Sequence, residues 1–344
     1  MTDPATRPLT HQTTRRSALQ FGLKAGGVLA AASAFPALIS SAHAQTSWPS
    51  KPIRLLVPFA PGGSSEIVAR SAATELSKSL GQNVFVENKP GASGNIAMQE
   101  CAQSTDGHTL ILGHIGTFAL NPFIYDKLPF DTNKDFKPIS LLAKVPSLYV
   151  VNADVPAKNL KEFIALAKSK PGQLNYGSAG NGSAGHLAFE YLKMTADIFV
   201  LHVPYRGTGP QLTDLLAGRL DAASVGAPAI LAHVKSGKLR CIATGTKERL
   251  PQLPDVPTVA ESGYPGFEMT QWYGLNAPAN MSAEAITKLA DACAKAMKNP
   301  LATERLRGDT ALPVGDTPAQ YAAFIKTEQA RWQKVAARAK IKPD

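Results

Sequence analysis

Beyond its first 44 residues the sequence has no apolar run near the roughly 18 residues that a membrane-spanning helix needs, which excludes a helical membrane protein. Cysteine is scarce. Cys101, Cys241 and Cys293 stand far apart among apolar neighbours, with no metal-ligand spacing; one disulfide with a leftover thiol is open to them, but the setting suits buried residues better. Histidines lack metal spacing too: His108, His114, His202 and His233 form no H-E-x-x-H. The basic residues make no stripe and do not interleave with aromatics, so nucleic acid is not expected as a partner. Acidic residues do not cluster. Ser178 in Y-G-S-A-G and Ser183 in N-G-S-A-G both lack the leading glycine of a nucleophile elbow. No catalytic set emerges, and neither an enzyme nor a cofactor is expected.

What the first 44 residues do contain is an export signal. Arg15-Arg16 open a charged segment, and a modestly apolar stretch follows, diluted by Lys24, Gly26 and Gly27. Ala42-His43-Ala44 supplies an A-x-A cleavage site. The arginine pair resembles a twin-arginine signal, an ordinary secretory signal being the alternative. A soluble mature chain outside the cytoplasm, beginning near Gln45, is expected. The formal charge is +10, of which the signal carries +3 (Arg7, Arg15, Arg16 and Lys24 against Asp3), leaving +7, a mild field suited to an anionic small molecule.

About 300 residues remain, more than one core usually holds, so two lobes are expected. Strands and helices alternate, which predicts an α/β architecture. Strands are read at 53–60, 83–88, 108–113, 141–152, 173–179, 220–226 and 238–245. Helices are read after 62, at 159–172, 210–218 and 228–237, and near 282–298, 300–307 and 317–340. Ser64 or Ser65 is a candidate cap for the first helix and Gly81 its end. Crossings near 145 and 240 divide the chain into a first lobe (45–145 plus 242–344) and a second (146–241), with a cleft between them.

Three glycine-rich strand-to-helix loops, 58–66, 90–95 and 177–185, fall where open α/β sheets bind ligands. The third contains Gly180-x-Gly182-x-x-Gly185. A dinucleotide fingerprint also needs an acidic residue about 20 positions on, and "VLHVPYR" around 200–206 offers none. A helix N-terminus with free N–H groups holds an anion readily, and glycine lets that backbone come close. Phe59, Ala60, Pro61, Gly62, Gly63, Ser64, Ser65 and Glu66 on one loop therefore become candidates to grip a carboxylate. Ser178, Ala179, Gly180, Asn181, Gly182, Ser183 and His186 on another face them. Thr117, Tyr205, Arg206, Gly207, Gly226 and Trp272 are further candidates, Tyr273 standing beside the last. Arg206 could pair a second carboxylate.

Five ordered stretches, "PFAPGGSSEIVAR", "VENKPGASGN", "NYGSAGNGSAGHLAFE", "HVPYRGTGPQLTDLLAGRLD" and "LPDVPTVAESGYPGFEMTQWYGL", resemble the substrate-binding proteins of tripartite tricarboxylate transporters, the Bug proteins. The resemblance spans the mature chain. It implies a periplasmic, two-lobed Venus-flytrap fold, monomeric, that closes on an organic carboxylate (a di- or tricarboxylate or an aromatic acid). It also implies transient delivery to a two-component membrane permease. An orphan carboxylate sensor and an exported hydrolase are the alternatives. The sequence departs from the family pattern at Glu66, where aspartate is common, and at Gly226, where the family often has Asp or Asn nearby. A small wall at Gly226-Ala227 would suit a bulkier acid.

Overall fold

The computed structural model describes residues 48–308, 310–339 and 341; the expected export segment lies outside them. β1 (Ile53–Val57) is buried on both faces, as a strand covered by helices must be. It turns through glycines into α1 (Ser64–Leu80), which stops at Gly81 in the left-handed conformation, φ 67°. β2 (Val84–Asn88), α2 (Asn95–Gln103) and β3 (Thr109–His114) continue the alternation. A π-helical turn over Ile115–Leu120 and the short α3 (Asn121–Ile124) lead to β4 (Phe136–Asn152), 17 residues long. The next stretch holds α4 (Leu160–Ser169), β5 (Asn175–Ser178), α5 (Ala184–Ala196), β6 (Leu201–Pro204), α6 (Thr208–Leu216), β7 (Ala222–Gly226), α7 (Ala227–Lys235) and β8 (Leu239–Thr244). β9 (Thr270–Pro278), α8 (Ala283–Ala296), α9 (Pro300–Gly308), β10 (Leu312–Pro313) and α10 (Pro318–Ala339) complete the described chain.

The strands run β2-β1-β3-β9-β4-β7-β5-β6, with β8 and β10 also paired to β4. Two halves share β4. From Phe136 to Pro146 it pairs antiparallel with β9; from Ser147 onward it pairs with β7 and β8. The chain returns to the first half after Thr244. Sequence patterning does not pick out β9, because Gln271, Gly274 and Asn276 break its apolar run. It is nevertheless buried almost throughout and central, since β3 and β4 cover both its edges. Gly274 is needed there: a Cβ would lie 2.2 Å from the Tyr321 ring of α10. The three cysteines are free and buried.

Candidate functional site

The cleft between the halves is built from helix beginnings. Residues in the first turns of α1, α5 and α6 and the N-cap of α7 line one cavity. Helix N-terminal N–H groups lack intrahelical partners and carry partial positive charge. Usually a cap side chain takes one of them. Here α1, α6 and α7 are capped by Gly63, Gly207 and Gly226, which have no side chain to offer. Only α5 is side-chain capped, by Ser183, whose hydroxyl accepts from the His186 N–H at 3.3 Å. Ser64 and Ser65, the expected caps of α1, instead sit inside its first turn.

That displacement releases hydroxyls. Ser64 Oγ and Ser224 Oγ are buried in the cavity wall without a hydrogen-bond partner. Ser64 lies near enough to the Tyr273 phenol to favour its ionised form, but burial dominates and pushes that phenol well up. The Tyr273 hydroxyl donates to Gln271 Oε1 at 2.7 Å. Gln211 Nε2 donates to Gly177 O at 2.9 Å. Among the described residues no Asp, Glu, Lys or Arg lines the cavity.

His114, at the end of β3, also lines the cavity. Its Nδ1 accepts from the N–H groups of Gly116 (2.7 Å) and Thr117 (3.2 Å). Its ring stacks on Phe59 at 4.5 Å. Burial depresses its pKa to about 4. Two other histidines brace the second lobe's loop. His186 Nδ1 accepts from Gly182 N–H at 3.0 Å, and His202 Nε2 lies 2.6 Å from Ser178 Oγ. The two rings stack at 4.3 Å. Burial brings His186 to about 4 and His202 to about 3. The Ser178–His202 pair has the spacing of a nucleophile and base. However, Ser178 is fully buried, lies outside the cavity lining, and also exchanges hydrogen bonds with Gly180.

Of the sequence candidates, Phe59, Ser64, Ser65, Ala179, Ser183 and Gly226 line the cavity. A second group forms the seam where the halves meet. Ala60 N–H donates to Arg206 O at 3.3 Å. A Cβ on Gly62 would lie 3.2 Å from Gly209 Cα, one on Gly63 2.8 Å from Thr208 Oγ1, and one on Gly207 2.6 Å from Ala60 Cβ. Pro61 O faces Gly209 in the same seam. A third group supports loops from behind: Thr117, Ser178, Gly180, Gly182 and His186. Asn181 sits half-buried in the same loop. Glu66 holds Gly62 N–H at 2.8 Å and pairs with Arg70, so its carboxylate is occupied. Tyr205 donates to Asp214 at 2.7 Å, and the Arg206 side chain is exposed.

Two expectations are corrected. Trp272 does not face the cleft. Strand alternation sends Tyr273 there instead, while the Trp272 indole is buried and donates to Glu328 at 2.9 Å. The space at Gly226 is no roomy wall either, because Ser64 fills it: a Cβ would come within 2.3 Å of Ser64 Oγ. His114, Thr208, Gln211, Ser224 and Gln271 are lining residues that the sequence reading did not select. Thr208, Gln211 and Gln271 nevertheless lie in stretches already marked by the family resemblance, and Ser224 lies in the strand read at 220–226.

The model of the tripartite tricarboxylate transporter family receptor matches residues 68–340. Three solved structures are similar over most of the chain. Rpa4515 of R. palustris with adipate is 36% identical, with a TM-score of 0.83, covering 86% of this chain and 100% of that one. The periplasmic binding protein BugD is 32% identical, with a TM-score of 0.83, covering 86% and 99%. MatC of Rhodopseudomonas palustris with bound malate is 34% identical, with a TM-score of 0.80, covering 84% and 99%.

Proposed function

This chain belongs to the tripartite tricarboxylate transporter receptor family, and from that membership we propose that it is a periplasmic receptor that captures an organic carboxylate between its lobes for a membrane permease. The observation that carries this reading is the convergence of four helix N-termini, three of them glycine-capped, on a cavity without a charged side chain. Fixed N–H donors and neutral hydroxyls can hold a carboxylate without a counter-ion, as helix termini hold anions generally. Adipate and malate in similar structures are dicarboxylates, and a dicarboxylate suits two gripping loops on opposite lobes.

Binding closes the lobes. The first lobe is residues 45–145 with 242–344 and the second 146–241, moving about β4 near Pro146–Ser147 and about the segment after Thr244. The seam at Ala60–Gly63 and Arg206–Gly209 is the contact that closure makes. The closed form is what a two-component permease reads, transiently and from a monomer. Export through the twin-arginine-like signal, with cleavage near Ala44/Gln45, delivers the protein to the periplasm.

The test is a thermal-shift and calorimetry screen against citrate, C4 to C6 dicarboxylates, acidic amino acids and benzoate-type acids, with neutral sugars as controls. A ligand that binds only the folded state raises the melting point by mass action. A rise with carboxylates and none with sugars is expected; a response to sugars alone would overturn the reading.

A further inference from the structure

Resting on the carboxylate-receptor reading, we infer that His114 is a ligand-contacting residue that donates from Nε2, and that the cleft selects acids carrying no amino group. The argument begins with the backbone. After β3 the chain turns into the π-helical segment Ile115–Leu120, which brings two N–H groups, from Gly116 and Thr117, onto His114 Nδ1. A ring nitrogen that accepts carries no proton, so in a neutral imidazole the hydrogen sits on Nε2. Burial keeps the ring from taking a second proton at neutral pH.

The ring cannot swing away from this arrangement. Phe59 stacks on one face at 4.5 Å, and Tyr273 meets it edge-on at 6.3 Å. Gly116 leaves no slack: a Cβ there would lie 2.5 Å from His114 Cε1 and 2.1 Å from Gly182 O of the opposite lobe. Nε2–H itself makes no hydrogen bond to the described residues, although His114 is buried and lines the cavity. Two further buried groups in the same wall, the hydroxyls of Ser64 and Ser224, are also unpartnered. Two unmet hydroxyls beside that Nε2–H in one cavity wall are costly unless a ligand satisfies them.

Acceptors on a ligand would satisfy the imidazole N–H and both hydroxyls, although a hydroxyl can also accept. The fixed groups of the wall are donors: helix N–H groups and an imidazole N–H. No carboxylate faces inward, because Glu66 is committed to Gly62 N–H and to Arg70. An ammonium group would enter the positive ends of several helix dipoles and find no anion to pair with. Carboxylate, keto, ether or hydroxyl oxygens at the same positions would be met. Discrimination between an acid and its amino analogue should therefore reach at least about 100-fold, the scale on which buried polar mismatches are rejected.

The experiment is competition calorimetry on the protein with matched pairs: succinate and aspartate, glutarate and glutamate, adipate and 2-aminoadipate. Each acid that binds should exceed its amino partner by at least about 100-fold. His114→Phe, which keeps the stacked ring but not the donor, should weaken the acid by at least about 10-fold. Should that variant fail to fold, nitrogen-15 spectra of the wild-type imidazoles supply the readout. They should show Nε2 protonated and Nδ1 not, with the Nε2 proton resonance moving on acid binding. Equal affinity within pairs, or an unmoved Nε2 proton in the complex, overturns the inference and leaves the receptor reading intact. Binding of no acid in the panel overturns the receptor reading and the inference with it.

Discussion

Acid is the perturbation that tests the buried histidines most directly. His114 titrates near 6.5 in an unfolded chain and near 4 in the fold, because burial disfavours its charged form. As pH falls from 6.5 towards 4, the unfolded state takes a proton that the folded state refuses, so stability is present above pH 6.5 and lost on the way down. At 1.36 kcal/mol per pH unit, His114 alone removes about 3 kcal/mol by pH 4. His186 and His202 lose in the same direction, and because they stack at 4.3 Å they titrate as a pair. A single folded domain has only about 5–15 kcal/mol to lose. The carboxylates of Glu100 and Asp106, held low by their partners, act in a lower window: their stabilisation is complete above the unfolded carboxylate range and lost only as pH drops through it. Asp316, raised by burial, works with the opposite sign. Loss of stability between pH 6.5 and 4.5 is therefore a histidine signature. Urea unfolding of the ligand-free protein at fixed ionic strength should show it, and His114→Gln should flatten the slope by up to about 1.4 kcal/mol per pH unit. Parallel profiles for the variant and wild type would refute the assignment of His114 as a buried neutral group.

Gly226→Ala places a Cβ 2.3 Å from Ser64 Oγ, so α1 must retreat; carboxylate affinity should fall at least about 10-fold by calorimetry, and adding Ser64→Gly should restore part of it. Gly62→Val and Gly180→Val meet left-handed backbone at φ 94° and 118°, and Gly209 Cα and Tyr205 O at 3.2 and 3.0 Å. They should weaken binding by obstructing the seam and the loop while the protein still folds, and full affinity in both would place closure elsewhere. Arg206→Ala should leave dicarboxylate affinity within about twofold, because the side chain is exposed outside the cavity lining; a tenfold loss would bring it to the ligand. Glu328→Ala strands two buried indole donors, Trp272 Nε1 and Trp332 Nε1, and should cost roughly 3 kcal/mol in chemical unfolding.

Much of the architecture is legible without coordinates, for a physical reason. Parallel strands covered by helices are apolar runs followed by amphipathic ones, and β1–α1 and β7–α7 read that way, whereas β5 is marked by the glycine-rich loop that follows it. Helix ends are equally local, so Gly81, Gly218 and Gly237 announce their left-handed turns. β9 does not announce itself. Its burial comes from β3 and β4, which are distant in sequence, and its polar side chains lean in part on tertiary partners, as the Asn276 amide donates to Tyr321.

The site divides along the same line. Its glycine-rich loops are visible because glycine and serine after a strand have few uses besides turning and exposing N–H groups. Which glycine caps which helix depends on a single residue's backbone. Reading Ser64 as a cap would spend its hydroxyl on α1; one step of displacement places Gly63 there and leaves that hydroxyl buried and unpartnered in the cleft. His114 is further from reach. In the sequence it is one histidine without metal spacing. It becomes a directed donor only because a π-helical turn folds two N–H groups back onto Nδ1 and Phe59 clamps the ring. Anion affinity thus follows from local backbone that the sequence displays, whereas the choice among anions rests on a tautomer that only the folded turn selects.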